Sequence, residues 1–455
     1  MRVCHNISTV FDDPNLISHG GLPPVMELAE QAGLHGLVTE HVTVPGTAGA
    51  NAAAKVSAVV AGMVTGADSI SDLDVLRHGG MGRIFDGLRA ATTLGTHLRG
   101  YAFGHIRQLD AVASRFLINL TRCCPVLSGA DQIVYIDVDD TIRETHGYQK
   151  QGAAYGYSKV KGLNAQLAVI STPLAAPIIG GARLRKGNSA SAHGAARLIT
   201  DTLATLRRAV PDAGLVILRA DSAYFNRDTI HAAIRSGARF SITAKMNPAV
   251  VKAIAGIDED AWTTIKYTDA IFDEDQQRWI SDAEVAEIEF TAFLSPIADR
   301  VTARLIVRRV KRLNPRHQDE LLPGWRHHAV FTDNPMPLIQ AEACHRDHAL
   351  VEQVIADLKN GALAHAPSGK FTANAAWLAM AVIAFNLTRA AATLASETLG
   401  RARTATIRRT LINVAARIAN TARRWILHLP RDWPWQPQLE NLIECLHAPP
   451  VPATT

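Results

Sequence analysis

The 455-residue sequence is poor in cysteine and has no long, uncharged apolar run. Its five cysteines form no Cys-x-x-Cys pair and their number is odd, which argues against a disulfide framework and favours the reducing cytoplasm. The N-terminus lacks the continuous apolar segment of a secretory signal peptide. The most apolar windows, 52–64 and 375–396, are too short or contain Lys55, or Asn386 and Arg389. These windows predict buried helices, and the sequence predicts no membrane association.

Acidic side chains are absent between Arg401 and Pro430, where seven arginines occur. The whole chain carries a net charge of only +5, so this local excess is a candidate surface for a polyanion such as DNA. Arg408 and Arg409 are its predicted DNA contacts. The alternative is an ordinary solvated face of a helical C-terminal segment. The seven are Arg401, Arg403, Arg408, Arg409, Arg417, Arg423 and Arg424.

The apolar fraction of 47% and the charged fraction of 20% are those of a folded soluble protein, and the length indicates about three domains. Residues 1–125 predict short helices, which form either a DNA-binding region or a helical scaffold. Residues 126–245 predict a mixed sheet, because three strand patterns precede alternating helices and strands. Alternating patterns over 246–340 predict a β-rich insertion. Helices are predicted for 341–396, and a basic helical region with a Pro-rich end for 397–455.

One predicted helix carries a charged face, H-R-D-H-A-L-V-E-Q-V-I-A-D-L-K at 345–359. At roughly 100° per residue, His345, His348, Glu352 and Lys359 lie within an arc of about 60°. A solvated helix surface would explain such a stripe when it is taken alone.

Two predicted strands end on aspartate, in Q-I-V-Y-I-D-V-D-D-T at 132–141 and L-V-I-L-R-A-D-S-A-Y at 215–224. Asp139 shares a strand face with Asp137, whereas Asp140 points to the opposite face. Asp221 comes where its strand ends, the edge at which α/β sheets place their ligands. Three carboxylates from two strands and a helix are what a site of two Mg²⁺ ions requires for phosphodiester cleavage. Asp137 remains an additional candidate ligand.

These motifs resemble those of bacterial insertion-sequence transposases of the DDE superfamily, in which a β-strand insertion interrupts an RNase H-like catalytic domain. D-V-D-D-T, followed by His146 and Gly147, is similar to the first motif of the family and places the first acid at Asp139. R-A-D-S-A-Y is similar to the second motif and places the second acid at Asp221. The resemblance covers about residues 20–395.

The third motif resembles the Tyr-Arg-Glu-Lys signature of this group at Glu352 and Lys359. His345 and His348 stand where the family has tyrosine and arginine. Because histidine lacks a guanidinium fork and is largely neutral at pH 7, the grip on the phosphates of the transposon end is predicted to be weaker.

The resemblance implies that Asp139, Asp221 and Glu352 are catalytic metal ligands for two Mg²⁺ ions, with Mn²⁺ as a substitute. It implies that the protein binds terminal inverted repeats and target DNA as a homodimer on double-stranded DNA, with Lys359 as a phosphate anchor and His345 and His348 as further phosphate contacts. Alternatives are an RNase H-like nuclease that cuts without joining, and a DNA-binding relic that has lost catalysis.

Two other clusters have an alternative interpretation. Cys344, His345 and His348 could bind zinc with one more ligand, although no Cys-x-x-Cys motif lies nearby. Tyr155, Tyr157, Lys159 and Lys161 follow the first acid on a predicted hairpin and are candidate DNA contacts.

Overall fold

A computed structural model describes residues 7–146, 150–267, 271–274, 277–280, 282–311, 325–421 and 424–448. The chain divides into two compact units, Leu127–Ala356 and a unit built from Met1–Val126 with Asp357–Thr455. The sequence features at Gly147, at Arg423 and in the Pro-rich end lie outside the described residues.

The described residues before 127 are mainly helical, as the sequence predicts. Glycine separates several of these helices; for example, Gly33 adopts φ 77°, a left-handed conformation that costs glycine little. The elements are β1 (Leu16–Ile17), α1 (Leu22–Gln31), α2 (Leu34–His41), α3 (Gly46–Gly49), α4 (Ala52–Thr65), α5 (Met81–Ile84), α6 (Ala91–Arg99) and α7 (Phe103–Cys123).

The Leu127–Ala356 unit begins with a mixed sheet, which confirms the predicted α/β class. Its strands lie in the order β5-β4-β2-β6-β7, with β4 antiparallel to β2 and β5, and with β6 parallel to β2 and β7. The elements are β2 (Ile133–Glu144), β3 (Ala154–Tyr155), β4 (Lys161–Ser171), β5 (Ile178–Lys186), α8 (Ala195–Ala209), β6 (Leu215–Ala220), α9 (Arg227–Arg235) and β7 (Arg239–Thr243).

The segment predicted as a β-rich insertion extends this same sheet. Its strand β13 pairs antiparallel with β7, and β12 and β11 follow outward, so that ten strands of the described residues form one sheet. The elements are α10 (Pro248–Ala255), β8 (Thr263–Thr264), β9 (Ile271–Asp273), β10 (Arg278–Ile280), β11 (Ala283–Ala292), β12 (Val301–Lys311) and β13 (Trp325–Thr332).

The remaining elements correct two predictions. They are α11 (Leu338–Arg346), α12 (Leu350–Lys359), α13 (Phe371–Ala395), α14 (Glu397–Gly400), α15 (Thr404–Ile407), β14 (Ala416–Thr421), β15 (Arg424–His428) and α16 (Gln436–His447). A continuous helix over 345–359 was wrong, because a 3₁₀ turn at Asp347–Ala349 separates α11 from α12. The predicted helical C-terminal region was also wrong where β14 and β15 form a hairpin. On its other side, β14 pairs with β1 from the start of the chain.

Helix α13 is the core helix that its composition predicts. It is long and apolar enough to cross a membrane, with a mean hydropathy of 1.6, but 89% of its most apolar window is buried inside the protein. Burial on all sides explains why its sequence lacks a polar face.

Candidate active site

Asp139 and Asp221 both lie just past the point where the parallel pairing of β2 and β6 ends. The last pair in the register is Val138 with Ala220, and each aspartate is the next residue of the chain, although β2 itself continues to Glu144. Because β6 ends at Ala220, Asp221 turns out of the sheet and begins a short 3₁₀ turn. Its carboxylate accepts a hydrogen bond from the backbone N–H of Ala223 at 2.9 Å.

Glu352 is exposed in the first turn of α12, and it lies close enough to Asp139 for its charge to act on that carboxyl. Its charge is one of those that raise the pKa of Asp139. The three acids that the sequence predicts from two strands and a helix are therefore close enough for the charges of Asp221 and Glu352 to act on Asp139.

The acid Asp137, two residues before Asp139, is fully buried and already has a cation. The Arg219 guanidinium donates to both of its oxygens, at 2.6 and 2.7 Å, and a third guanidinium nitrogen donates to the Cys344 carbonyl at 2.6 Å. The same guanidinium lies over the Tyr135 ring, 4.1 Å from its centroid. Asp137, the additional candidate ligand, is thus committed to a buried ion pair and is not available to a metal.

The following acid, Asp140, is held on the opposite face by Arg185. Arg185 also donates to the Asn164 side chain at 2.7 and 2.9 Å and to three backbone carbonyls of the segment 190–193. This arginine ties the acid strand to the loop that precedes α8, and Asp140 neutralises its buried charge.

Asp139 remains as the acid of β2 between these pairs, and none of the described residues forms an ion pair with it. Its carboxylate accepts a hydrogen bond from the backbone N–H of Asp140 at 2.7 Å. The pKa of Asp139 is raised to about 7, chiefly by burial and also by the nearby carboxylates of Asp221, Asp140 and Glu352, while the hydrogen bond from Asp140 acts in the opposite direction. An acid with neighbouring acids and no cation is suited to binding a metal ion.

Asp221 has a similar environment. Although its side chain reaches solvent, the protein around it desolvates the carboxyl and raises its pKa, with the charge of Asp140 acting in the same direction. The hydrogen bond from Ala223 and the nearby His348 act in the opposite direction.

The donor set suits Mg²⁺, which prefers carboxylate oxygen. The side chains themselves are not gathered: across the described residues, no group of three or more histidine, cysteine, aspartate or glutamate side chains converges as metal ligands. The three acids therefore fit a divalent cation by chemical type and by strand position, and their carboxylates must converge for it to bind.

An Asp139→Asn variant is expected to become more stable relative to the wild type as the pH rises from 5 to 8 without metal. The folded pKa of about 7 lies above the unfolded value of about 3.9, so the folded state holds the extra proton between these values. In the wild type, the stability that this proton provides is present below about pH 4 and is lost as the pH rises through about 7. The variant does not lose stability in this way, because asparagine stays neutral. Thermal unfolding of both proteins in EDTA measures the difference, and a difference that stays constant from pH 5 to 8 would contradict the raised pKa.

The histidines of the third motif have different surroundings. His345 is 5% exposed, and its two ring nitrogens contact the hydroxyls of Ser241 and Thr243 at 3.0 and 2.9 Å. Burial lowers its pKa to about 3. The prediction that His345 contacts DNA is therefore wrong for this structure, because the ring is buried and both of its nitrogens already have hydroxyl partners.

His348 is half-buried and stacks on His345, with 5.0 Å between the ring centroids. Its ring nitrogen Nδ1 lies 2.8 Å from the His345 carbonyl. Its electrostatic effect on Asp221 and Asp137 places it beside the acids, so it remains a candidate phosphate contact.

Cys344 does not join the two histidines as a zinc ligand. Its thiol is buried, which raises its pKa, and the His345 nitrogens already have hydroxyl partners. The zinc interpretation also finds no ligand cluster among the described residues.

The predicted basic contacts lie on several elements. Lys161 is the half-buried first residue of β4, and Lys359 is the half-buried last residue of α12. A π-helical turn, Arg408–Ile412, carries the other two: Arg409 is exposed, whereas Arg408 is half-buried and donates to the Asn360 carbonyl at 3.3 Å.

Sequence reasoning missed Arg185 and Arg219, which neutralise the acids on either side of Asp139. Arg219 did leave a signal, because an arginine inside the apolar strand L-V-I-L-R-A must find a buried acid. Arg185 left none, since R-L-R-K at the end of β5 also suits a solvated strand end.

The comparisons with known proteins are consistent with this geometry. The sequence profile of the family described as Transposase DDE domain group 1 matches residues 3–450, nearly the whole chain. No curated protein matches the chain.

Proposed function

We propose that this chain, which belongs to the family of group 1 DDE-domain transposases, binds the terminal inverted repeats of its insertion sequence, cuts the DNA there and joins the ends to target DNA. The proposal is carried by Asp139, which forms no ion pair with any of the described residues. Each acid beside it on β2 has its own arginine, whereas Asp139 faces the charges of Asp221 and Glu352.

In this proposal Asp139, Asp221 and Glu352 hold two Mg²⁺ ions, with Mn²⁺ as a substitute. Bound metal ions would activate the attacking oxygen and stabilise the leaving oxygen at phosphorus. The protein fixes the acids: the β2–β6 register sets Asp139 beside Asp221, and Arg219 and Arg185 hold the strand in place. The strand order β5-β4-β2-β6-β7 supports an RNase H-like arrangement for this part of the sheet.

The DNA contacts would come from basic side chains. Lys161, His348, Lys359, Arg408 and Arg409 are the proposed phosphate contacts, and the net charge of +5 favours a polyanion. Cutting two transposon ends calls for a homodimer assembled on double-stranded DNA, in the cytoplasm.

The test is an assay on labelled duplexes that carry the terminal repeats of the element, with Mg²⁺, with EDTA, and with a Glu352→Gln variant. We expect Mg²⁺-dependent cleavage and strand-transfer products that are lost in EDTA and in the variant, which keeps the size of the side chain and loses its charge. Cleavage that persists in EDTA would contradict the proposal.

The same assay separates two other candidates. Cleaved ends that never join target DNA would indicate an RNase H-like nuclease. Specific binding without any cut would indicate a DNA-binding relic, a candidate favoured by the absence of a gathered set of metal ligands among the described residues.

A further inference from the structure

A hairpin next to the acid strand exposes two tyrosines that packing does not explain. We call residues 154–161, which join β3 to β4, the tyrosine hairpin. Tyr155 is 68% exposed and Tyr157 is 106% exposed, so the latter ring contributes nothing to the core. Lys159 and Lys161 follow the tyrosines at the same two-residue spacing.

The backbone of the tyrosine hairpin is closely packed. A Cβ on Gly156 would lie 2.5 Å from the Gly187 carbonyl oxygen, and one on Gly187 would lie 2.4 Å from the Ala154 carbonyl oxygen. The Gly187 N–H donates to the Gly152 carbonyl at 3.0 Å, and the Lys159 N–H donates to the Gly156 carbonyl at 3.0 Å. The turn is therefore preorganised, and its exposed rings need little ordering on binding.

The position of the tyrosine hairpin relates it to the candidate active site. Asp139 pairs with Leu167 on β4, six residues after Lys161, which corresponds to roughly 20 Å along a strand at about 3.4 Å per residue. A DNA strand advances about 3.4 Å per nucleotide, so the same distance spans about six nucleotides.

The chemistry of the tyrosine hairpin suits an unpaired stretch of DNA. The hairpin borders a cleft of about 400 Å³ that is lined by Glu144, Thr145, His146, Tyr155, Lys159, Val160 and Lys161. Lysines attract phosphates, and a tyrosine ring stacks on a base. Inside a duplex both faces of a base are covered by its neighbours, so stacking on an exposed ring requires a base that has left the helix.

We propose that the tyrosine hairpin binds unpaired nucleotides of the DNA strand, several nucleotides from the phosphodiester bond that is cut, by stacking Tyr157 on a base and placing Lys159 on a phosphate. This inference rests on the proposed function, because it takes DNA as the substrate. It adds to that function the requirement that the DNA is locally unpaired where it contacts the tyrosine hairpin.

The test measures binding of the full chain in EDTA, so that catalysis plays no part. The probes are a fluorescent 30-base-pair duplex, the same duplex with a three-nucleotide bubble, and the labelled single strand. The variants are Tyr157→Ala, Tyr157→Phe, which keeps the ring, and Lys159→Gln. Ile297→Ala, which trims a 73% exposed side chain elsewhere in the same unit, is the matched control.

We expect Tyr157→Ala to weaken binding to the bubble and to the single strand by about 5- to 100-fold, the range for loss of one base–aromatic stack. Tyr157→Phe and the control should bind within about twofold of the wild type, and the duplex affinity should change little. Lys159→Gln should lower the salt dependence on the same probes by about one unit of slope.

Wild-type affinity of Tyr157→Ala for the bubble and the single strand would overturn the proposal. An equal loss in Tyr157→Phe would also overturn it, because the hydroxyl rather than the ring would then be responsible. If Tyr157→Ala alters the sedimentation of the protein but not its DNA binding, the tyrosine hairpin is a contact between copies of the chain, and this result would likewise overturn the proposal. If the hairpin binds as expected and the wild type still shows no Mg²⁺-dependent cleavage, the proposed function fails, while the binding of unpaired DNA by the tyrosine hairpin stands without its distance from a cut.

Discussion

An Asp221→Asn variant is expected to lose DNA cleavage and strand transfer by more than about a hundredfold, since even a residue that only supports a metal ligand is worth about 10- to 100-fold. Asparagine keeps the local structure, because its amide oxygen can accept the hydrogen bond that the Ala223 N–H gives to Asp221. What the substitution removes is the negative charge beside Asp139. The comparison is made with Mg²⁺ on a duplex that carries the terminal repeats.

Two controls make the result specific. Asp212→Asn removes the charge of an exposed aspartate in the turn before the same strand, and it should retain wild-type activity. Binding of Asp221→Asn to the same duplex in EDTA should stay within a few-fold of the wild type, which shows that the variant is folded. Wild-type strand transfer in Asp221→Asn would remove this residue from the metal site.

An Arg219→Met variant is expected to destabilise the Leu127–Ala356 unit by about 3–5 kcal/mol, because it leaves the Asp137 carboxylate buried without a cation. Burial raises the pKa of Asp137 and disfavours the charge of Arg219, whereas the hydrogen bonds between the two side chains favour the charged form of both, and on balance the pKa of Arg219 is raised. Both side chains are 1% exposed, so water does not replace the lost partner. Hydrogen exchange of the β2 and β6 amides measures the change in opening free energy.

The double variant Asp137→Leu with Arg219→Met is the matched comparison. Replacing both members of a buried pair by apolar side chains is often close to neutral, so most of the stability should return. If Arg219→Met alone costs less than about 1 kcal/mol, or the double variant is no more stable than the single one, the ion pair does not hold these strands in the way described.

The site illustrates how far local sequence patterns reach. Asp139 and Asp221 could be predicted because each follows an apolar strand pattern, and Glu352 because helical spacing relates it to its neighbours. The prediction that His345 lies on the same helix face as Glu352 failed, because helical spacing assumes one straight helix. A 3₁₀ turn at Asp347–Ala349 changes the direction of the ring, and the hydroxyls that receive it belong to β7, about a hundred residues earlier.

The same reasoning failed for the basic C-terminal segment. Residues 416–421 alternate between buried and exposed side chains, as a strand does, and arginine does not distinguish a helix from a strand edge. One side of β14 pairs with β15 in a hairpin, and the other side pairs with β1, some 400 residues earlier in the chain, as the Leu16–Arg417 register shows. Pairing over such a distance leaves no local pattern.

The sequence by itself predicted the mixed α/β class and the transposase family, which are confirmed, and it named Asp139, Asp221 and Glu352 as the candidate acids, because each of these rests on patterns within one strand or helix. Only the tertiary structure decided which aspartate of D-V-D-D lacks a cation, since that depends on Arg185 and Arg219, which other strands bring to either side of β2. It also decided that the insertion continues the main sheet and that His345 faces the core. In each case the deciding contact joins residues that are far apart in the chain. Such partners are selected by the free energy of packing and of charge pairing, because no local conformational preference connects them.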